Sequence, residues 1–285
     1  MAEILKGAPC AKALTEELIG RTSALKEKGI TPTLALLRVG ERGDDIAYEN
    51  AALKRCEKVG VGVKKFLLPE GAKKEEVLSA IRTINMDESI HGCLMFRPLA
   101  DKEIENAAAR LLLPEKDADC MTSGSLARVF SGTGAGFPPC TAEAVVRLLK
   151  YYEVPLAGRR VTVAGRSLVI GKPVSMLLLA ENATVTVCHS RTQDLAAECR
   201  NADIVVAAIG RARLLSKEFF KKGQVVIDVG INVDENGNMC GDCDFDAAEP
   251  VVSAITPVPG GVGAVTTAVL CEHVIEAAEK AAGRA

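Results

Sequence analysis

Tryptophan is absent from this chain, and phenylalanine and tyrosine number only seven and three. A single ring such as Tyr48 therefore carries more weight as a stacking surface than it would in an aromatic-rich protein. Positive charge is not in excess either. The net charge is -2 and the pI is near 6.0, which provides no basic face for DNA or RNA. No apolar run approaches the ~18 residues that a membrane span requires. The opening residues MAEILKGAP lack a basic segment followed by an apolar core. Neither a membrane nor a nucleic acid is expected as a partner, and the reading is cytoplasmic.

Cysteine is plentiful, at ten residues, but no pattern of pairing accompanies it. Without a signal segment these residues read as reduced thiols used as small apolar side chains. Cys56, Cys93, Cys188, Cys199 and Cys271 lie inside apolar strand or helix patterns. The one C-x-x-C, Cys240 to Cys243, has no second pair and no neighbouring histidine. Structural zinc needs four ligands at characteristic spacing, so no metal is expected.

At 285 residues with 48% apolar content, the chain can build two ordinary domains. Strand and helix patterns alternate from the start. A helix is expected over 8–28, strands at 33–40 and VKKFLL, helices at 46–58 and 73–86, and a strand in HGCLMFRPL ending at Pro98. This spacing implies βαβ units with parallel pairing, and functional side chains gathered at the carboxyl ends of the strands. Residues 114–140 are rich in Gly, Ser and Pro and read as a long functional loop or hinge. A helix from Thr141 leads into a second half read as a four-strand α/β unit with a helix near Lys217. The last helix should cross back onto the first half.

The second half is organised around RRVTVAGRSLVIGKP, Arg159 to Pro173. Val161, Val163 and Ala164 make a short buried strand, Gly165 ends it, and Gly171 opens an apolar helix with proline in its first turn. The free N–H groups at that helix start suit an anion such as a nucleotide phosphate. The spacing is not G-x-G-x-x-G, so it also suits a plain strand-turn-helix corner. The next strand, ATVTVC, runs into His189, Ser190, Arg191 and Thr192 with no acid before Asp194. A carboxylate there would favour NAD, whereas a basic group accommodates the 2′-phosphate of NADP. The implied cofactor is NADP, with Ser190 and either Arg166 or Arg191 on that phosphate. Alternatively, Ser190 or Thr192 simply caps the following helix.

PEKDADC from Pro114, PPCT from Pro138, GRSLVIGKP from Gly165, ATVTVCHSRT from Ala183, VIDVGIN from Val226 and AITPVPGGVG from Ala254 resemble, in order and spacing, the bifunctional methylenetetrahydrofolate dehydrogenase/methenyltetrahydrofolate cyclohydrolase family. The resemblance implies two α/β domains flanking a cleft. A folate-binding catalytic domain would comprise 1–140 plus 265–285, and a Rossmann-like NADP-binding domain 141–264. It places the cofactor on Gly165, Arg166, Ser167, Ser190 and Ile231. It gives Tyr48 and Asp119 catalytic and substrate-binding roles, with Pro257, Gly260 and Gly261 lining the folate site. A homodimer serving one-carbon metabolism is also implied. Residue by residue, Asp119 could accept the N–H donors of a pterin or only form a turn. Tyr48 could stack on a heterocycle or pack in a core. The glycines could admit a ligand or only turn a corner.

Departures from the family pattern cluster at the folate positions. The family's cleft tyrosine is followed four residues later by a lysine that assists the cyclohydrolase step, and Ala52 stands there. Lys54 does not replace it, because six residues advance a helix by about 600°, leaving it roughly 120° from Tyr48. The family's Gln-Leu-Pro-Leu-Pro reads Phe96-Arg-Pro-Leu-Ala100, Asp45 replaces a common serine, Cys120 a glycine, and Ala264-Val265 the usual Pro-Met. The expectation is an NADP-dependent 5,10-methylenetetrahydrofolate dehydrogenase with cyclohydrolase activity in doubt. The alternatives are full bifunctionality, with Arg97 or water in place of the lysine, and a catalytically weak NADP-binding regulatory subunit.

Overall fold

A computed structural model describes residues 1–283. Its strands are β1 (Glu3–Ile4), β2 (Thr33–Val39), β3 (Gly62–Leu68), β4 (Gly92–Met95), β5 (Arg160–Ala164), β6 (Thr184–Cys188), β7 (Ile204–Ala207), β8 (Val225–Asp228), β9 (Asn232–Val233), β10 (Met239–Cys240) and β11 (Ala254–Ile255). The helices are α1 (Gly7–Glu27), α2 (Gly43–Val59), α3 (Lys74–Met86), α4 (Lys102–Leu111), α5 (Ser123–Ser131), α6 (Cys140–Tyr151), α7 (Gly171–Ala180), α8 (Leu195–Asn201), α9 (Phe245–Ala248) and α10 (Thr266–Ala282). The chain divides into two compact units. One holds Met1–Lys12 and Thr141–Thr266, and the other Ala13–Cys140 with the residues from Thr267 on.

The second of these units contains a parallel three-stranded sheet in the order β3-β2-β4. The central strand, TLALLRV, is buried on both faces, as a strand covered by helices on each side must be. Alternation sends Ala35 and Leu37 into a core with Val77, Ile81 and Ile84 of α3 and Ala108 of α4. Arg38, from the opposite face, donates through Nε to Glu49 of α2 at 2.7 Å and through Nη1 to the Gly40 carbonyl. Helix α2 has Asp44 and Asp45 in its first turn, where the dipole favours acids, and ends on Gly60 in a left-handed conformation. Helix α10 belongs to this unit. Its Cys271 sulfur lies 3.7 Å from that of Cys56, and Glu279 takes a two-toothed bond from Arg21 at 3.0 and 2.7 Å.

The first unit is built on a six-stranded sheet in the order β1-β11-β8-β7-β5-β6, every adjacent pair parallel. Sequence pattern implied four strands. The other two have only two residues each, too few to show periodicity, and Glu3 and Ile4 are fixed by pairing with Ala254 and Ile255. That pairing carries residues 1–12 into the six-stranded unit, so the three-stranded unit begins at Ala13 instead of residue 1. Three helices were also not legible, the four-residue α9 among them. α4 is started by Asp101, whose carboxylate accepts from the N–H of Glu103 and Ile104. α5 lies within the expected loop 114–140, where Thr122 caps its start and Gly132 its end, so local cap chemistry outweighs a loop-like composition. The element near Lys217 is a single 3₁₀ turn, Lys217–Phe219.

Candidate active site

In the six-stranded unit, the turn after β5 runs from Gly165 to Gly171. Gly165 has φ 139°, and a Cβ on it would overlap the Ala208 carbonyl oxygen; a Cβ on Gly171 would overlap the Gly165 carbonyl oxygen. Only glycine fits at either position. The Ser167 hydroxyl oxygen accepts the N–H of Ile170 at 3.1 Å and of Gly171 at 3.4 Å, closing the turn and leaving its hydrogen to donate outward. Arg166 is exposed, as are Ser190 and Arg191 beyond the end of β6. Capping of α8 falls to Asp194, which accepts the Ala197 N–H at 2.8 Å, while Thr192 Oγ1 accepts the N–H of His189. Ser190 does neither. No carboxylate side chain stands among residues 189–193. These groups suit a phosphorylated dinucleotide: a turn whose two glycines admit no side chain, and an exposed guanidinium and hydroxyl beside it.

Pro257, Gly260 and Gly261 also lie in this unit. The Gly260 carbonyl accepts the Gly7 N–H at 2.8 Å, and a Cβ on Gly7 would overlap the Gly261 carbonyl oxygen. The loop is thus held against the start of α1. Ile231 is 69% exposed, unusual for a large apolar side chain just beyond a buried strand end.

In the three-stranded unit, Tyr48 is half-buried on α2 and meets Phe96 edge-on, ring centroids 6.3 Å apart at 79°. Ala52, the next turn along, is fully buried. Glu49 anchors this stretch through Arg38 at 2.7 Å and Lys65 at 2.9 Å. Burial alone would raise its carboxyl, but the bonds from Lys65 and Arg38 win and hold it below the ordinary value. The substitution to Asp45 has a partner: Arg42 grips it at 2.9 and 2.6 Å and also donates to the carbonyls of Pro98 and Arg97 at 3.1 and 3.3 Å. The start of α2 is thereby tied to the end of the β4 segment. The three-residue spacing of Arg42 and Asp45 was a usable signal, since such pairs meet on a helix surface.

Asp119 and Asp117 part company here. Asp117 accepts the N–H groups of Met121 and Thr122 at 2.9 and 2.8 Å and is a turn former. Asp119 Oδ1 accepts the Cys140 N–H at 2.8 Å. Burial pushes its carboxyl above the ordinary value, opposed by that N–H and by the charge of Arg97. The peptide just before it is held as well: the Ala118 carbonyl accepts from the Cys140 thiol at 3.3 Å and from His273 Nδ1 at 2.9 Å. His273 in turn stacks on Phe137, centroids 4.8 Å apart. A carboxylate so held, with lone pairs left over, can receive N–H donors from a flat heterocycle.

Comparison with known proteins agrees with this two-part arrangement. Residues 5–119 match the catalytic-domain model of tetrahydrofolate dehydrogenase/cyclohydrolase, and residues 139–282 match its NAD(P)-binding-domain model. The chain is 54% identical over 282 residues to the bifunctional protein FolD of Carboxydothermus hydrogenoformans, covering 98% of each. Its fold is similar to that of the bifunctional FolD enzyme of Campylobacter jejuni, with a TM-score of 0.93, 36% identity, and 98% and 99% of the two chains covered. It is similar too to the FolD of Trypanosoma brucei solved with NADP cofactor and inhibitor, at TM-score 0.92 and 35% identity over 100% and 99% of the chains. No helix among the described residues is long and apolar enough to cross a membrane. With both domain models matched in order, and a relative this similar along nearly its whole length, the chain belongs to the tetrahydrofolate dehydrogenase/cyclohydrolase family.

Proposed function

We propose that this protein is an NADP-dependent 5,10-methylenetetrahydrofolate dehydrogenase of one-carbon metabolism. The observation that carries the reading is that one chain of this family has both sets of groups the reaction needs: an Asp119 carboxylate held with acceptor capacity to spare, and a turn closed at Gly165 and Gly171, neither of which has room for a Cβ. When bound, NADP supplies a nicotinamide ring that accepts hydride from the methylene carbon. Gly165 and Gly171 let the backbone approach the cofactor's phosphates. Arg166 and Ser190 offer a charge and a hydroxyl to its 2′-phosphate, and Ser167 keeps the turn in shape. Ile231 gives an apolar surface. Asp119 receives the pterin's donors and Tyr48 packs against the substrate, with Pro257, Gly260 and Gly261 as further substrate contacts. Hydride transfer needs placement more than it needs a side-chain acid or base. The resemblance supports a homodimer, and the ten buried thiols support a cytoplasmic setting.

Hydrolysis of the methenyl product is a different demand, since opening that ring moves protons, and a positioned group contributes about 10²- to 10⁴-fold. Ala52 is buried and has no proton to give, and Phe96 packs against Tyr48. Arg97 carries a charge near Asp119, but a guanidinium has donors only and no acceptor with which to take up a proton. We therefore read the cyclohydrolase step as weak. A second reading, full bifunctionality, is favoured by the relatives named bifunctional at 54% identity. Following the methenyl absorbance during NADP reduction separates the two. Accumulation of methenyltetrahydrofolate, decaying no faster than in buffer, is expected. Ala52→Lys with Phe96→Gln should then speed its decay more than the sum of the single changes. Rapid decay with the unmodified enzyme would establish bifunctionality, and absence of NADP reduction would end the dehydrogenase reading.

A further inference from the structure

The Cys240-Gly241-Asp242-Cys243 segment has no role in the chemistry above. Both its thiols are buried, and burial followed by the neighbouring charge of Asp228 holds Cys243 in its protonated form. Asp242, between them, is fully buried and yet makes four bonds. Its carboxylate accepts the backbone N–H of Ile209 at 2.5 Å, Gly210 at 3.1 Å and Arg211 at 3.0 Å, and the Asn232 side-chain amide at 2.9 Å. Asp228, at the end of β8, accepts the N–H groups of Gly230 at 2.9 Å, Asp242 at 3.0 Å and Cys243 at 2.8 Å. A Cβ on Gly230 would overlap the Asp242 carboxylate, and one on Gly241 the Asp228 carboxylate. Two buried acids thus gather three segments of chain: the one following β7, the one following β8, and the hairpin of β9 and β10.

The place of these segments in the sheet gives them a use. β6 lies on one side of β5 and β7 on the other, so chain order reverses beside β5, and there a parallel sheet opens a crevice for a dinucleotide. The adenosine half belongs on the β6 side, as the ribose contact at the end of the second strand requires. The nicotinamide half then falls toward β7 and β8, against residues 208–211 and 229–232. Of these, Asp242 fastens Ile209, Gly210, Arg211 and Asn232, the last next in sequence to exposed Ile231.

We propose that Asp242, seated on Asp228, is a positioning residue that fixes the nicotinamide-facing backbone of the cofactor site. This rests on the dinucleotide reading given above. The bonds of Asp242 go to the segments after β7 and β8 and not to Arg166 or Ser190, so its loss weakens NADP and NAD alike, whereas loss of Arg166 separates them. A carboxylate accepting four donors is poorly replaced by an amide, which turns two donors of its own toward N–H groups.

The test titrates NADP and NAD into the full-length protein, its Asp242→Asn variant and its Arg166→Ala variant, well below their unfolding temperatures. Asp242→Asn is expected to weaken both cofactors by about ten- to a hundredfold with their ratio unchanged, and to slow single-turnover hydride transfer by a similar factor. Binding of a tetrahydrofolate analogue should be kept. Arg166→Ala should lower the NADP-to-NAD ratio instead. A lowered unfolding temperature with unaltered cofactor affinity, or a selective loss of NADP, overturns the proposal. If Asp242→Asn does not fold, Asn232→Ala removes one of the four bonds and carries the test: an equal, smaller loss for both cofactors supports the proposal, and unchanged affinities overturn it. Failure of the unmodified protein to bind either cofactor would overturn the dinucleotide reading first, and the positioning role of Asp242 with it.

Discussion

The candidate groups of the two units are made of different material. In the six-stranded unit much of it is backbone, with Arg166, Ser190 and Ile231 adding side chains: glycines with no room for a Cβ, N–H groups at a helix start, and loops held by buried acids. In the three-stranded unit it is side chains, Tyr48, Phe96, Arg97 and Asp119. The departures from the family pattern fall mostly in the second group. A site built from backbone rejects nearly every substitution at its glycines, because a side chain there collides with main chain, whereas a site built from side chains can lose a lysine at Ala52 and fill with a phenylalanine at position 96. The contrast indicates where activity can drift without loss of the fold.

The harshest way to test this contrast is Gly165→Ala. The added methyl would overlap the Ala208 carbonyl at a backbone φ of 139°, and the expected cost is about 4 kcal/mol in stability with NADP binding abolished. Calorimetric titration and thermal melting read both, and a variant that bound NADP normally would show the turn to be more compliant than its packing implies. A subtler test is the pH dependence of Asp228. Burial raises its carboxyl from 3.8 to about 6, so the folded state holds that proton more tightly than the unfolded chain. Its stabilising contribution is full below about 3.8 and is lost as pH rises through about 6. Measured by urea unfolding against Asp228→Asn, the unmodified protein should lose up to ~3 kcal/mol of relative stability between pH 4 and pH 7. A flat difference would mean that the three N–H donors outweigh burial. The mildest effect is expected in the other unit, where Asp119→Ala should cost ~1 to 3 kcal/mol in folate binding and leave NADP affinity intact. Loss of both ligands together would erase the distinction between the halves.

The strand-helix alternation, the parallel pairing of β2 with β3 and β4, and the turn at Gly165 were legible because each is a local pattern of apolar residues and breakers. What was not legible depends on distant partners. Asp119 is oriented through Ala118 by His273, 155 positions from that carbonyl, and Arg42 reaches Pro98 across 56 positions. Asp242 drew no notice because its content is a set of bonds to N–H groups some thirty residues away. The helix Ser123–Ser131 was hidden for the opposite reason. Its caps are made of the same serine, threonine and glycine that mark a loop.

The ten cysteines divide evenly between the two units. Cys10, Cys188, Cys199, Cys240 and Cys243 lie in one, and Cys56, Cys93, Cys120, Cys140 and Cys271 in the other. All are buried, and burial pushes thiols such as Cys10 and Cys199 up to about 11 and 12, far from the reactive thiolate form. The protein therefore carries its own clock for opening. A brief pulse of alkylating reagent marks a cysteine only in molecules whose surrounding structure has come apart. Peptide mapping of the marks under mild denaturant would show whether the backbone-built half or the side-chain-built half lets go first, with no foreign probe introduced.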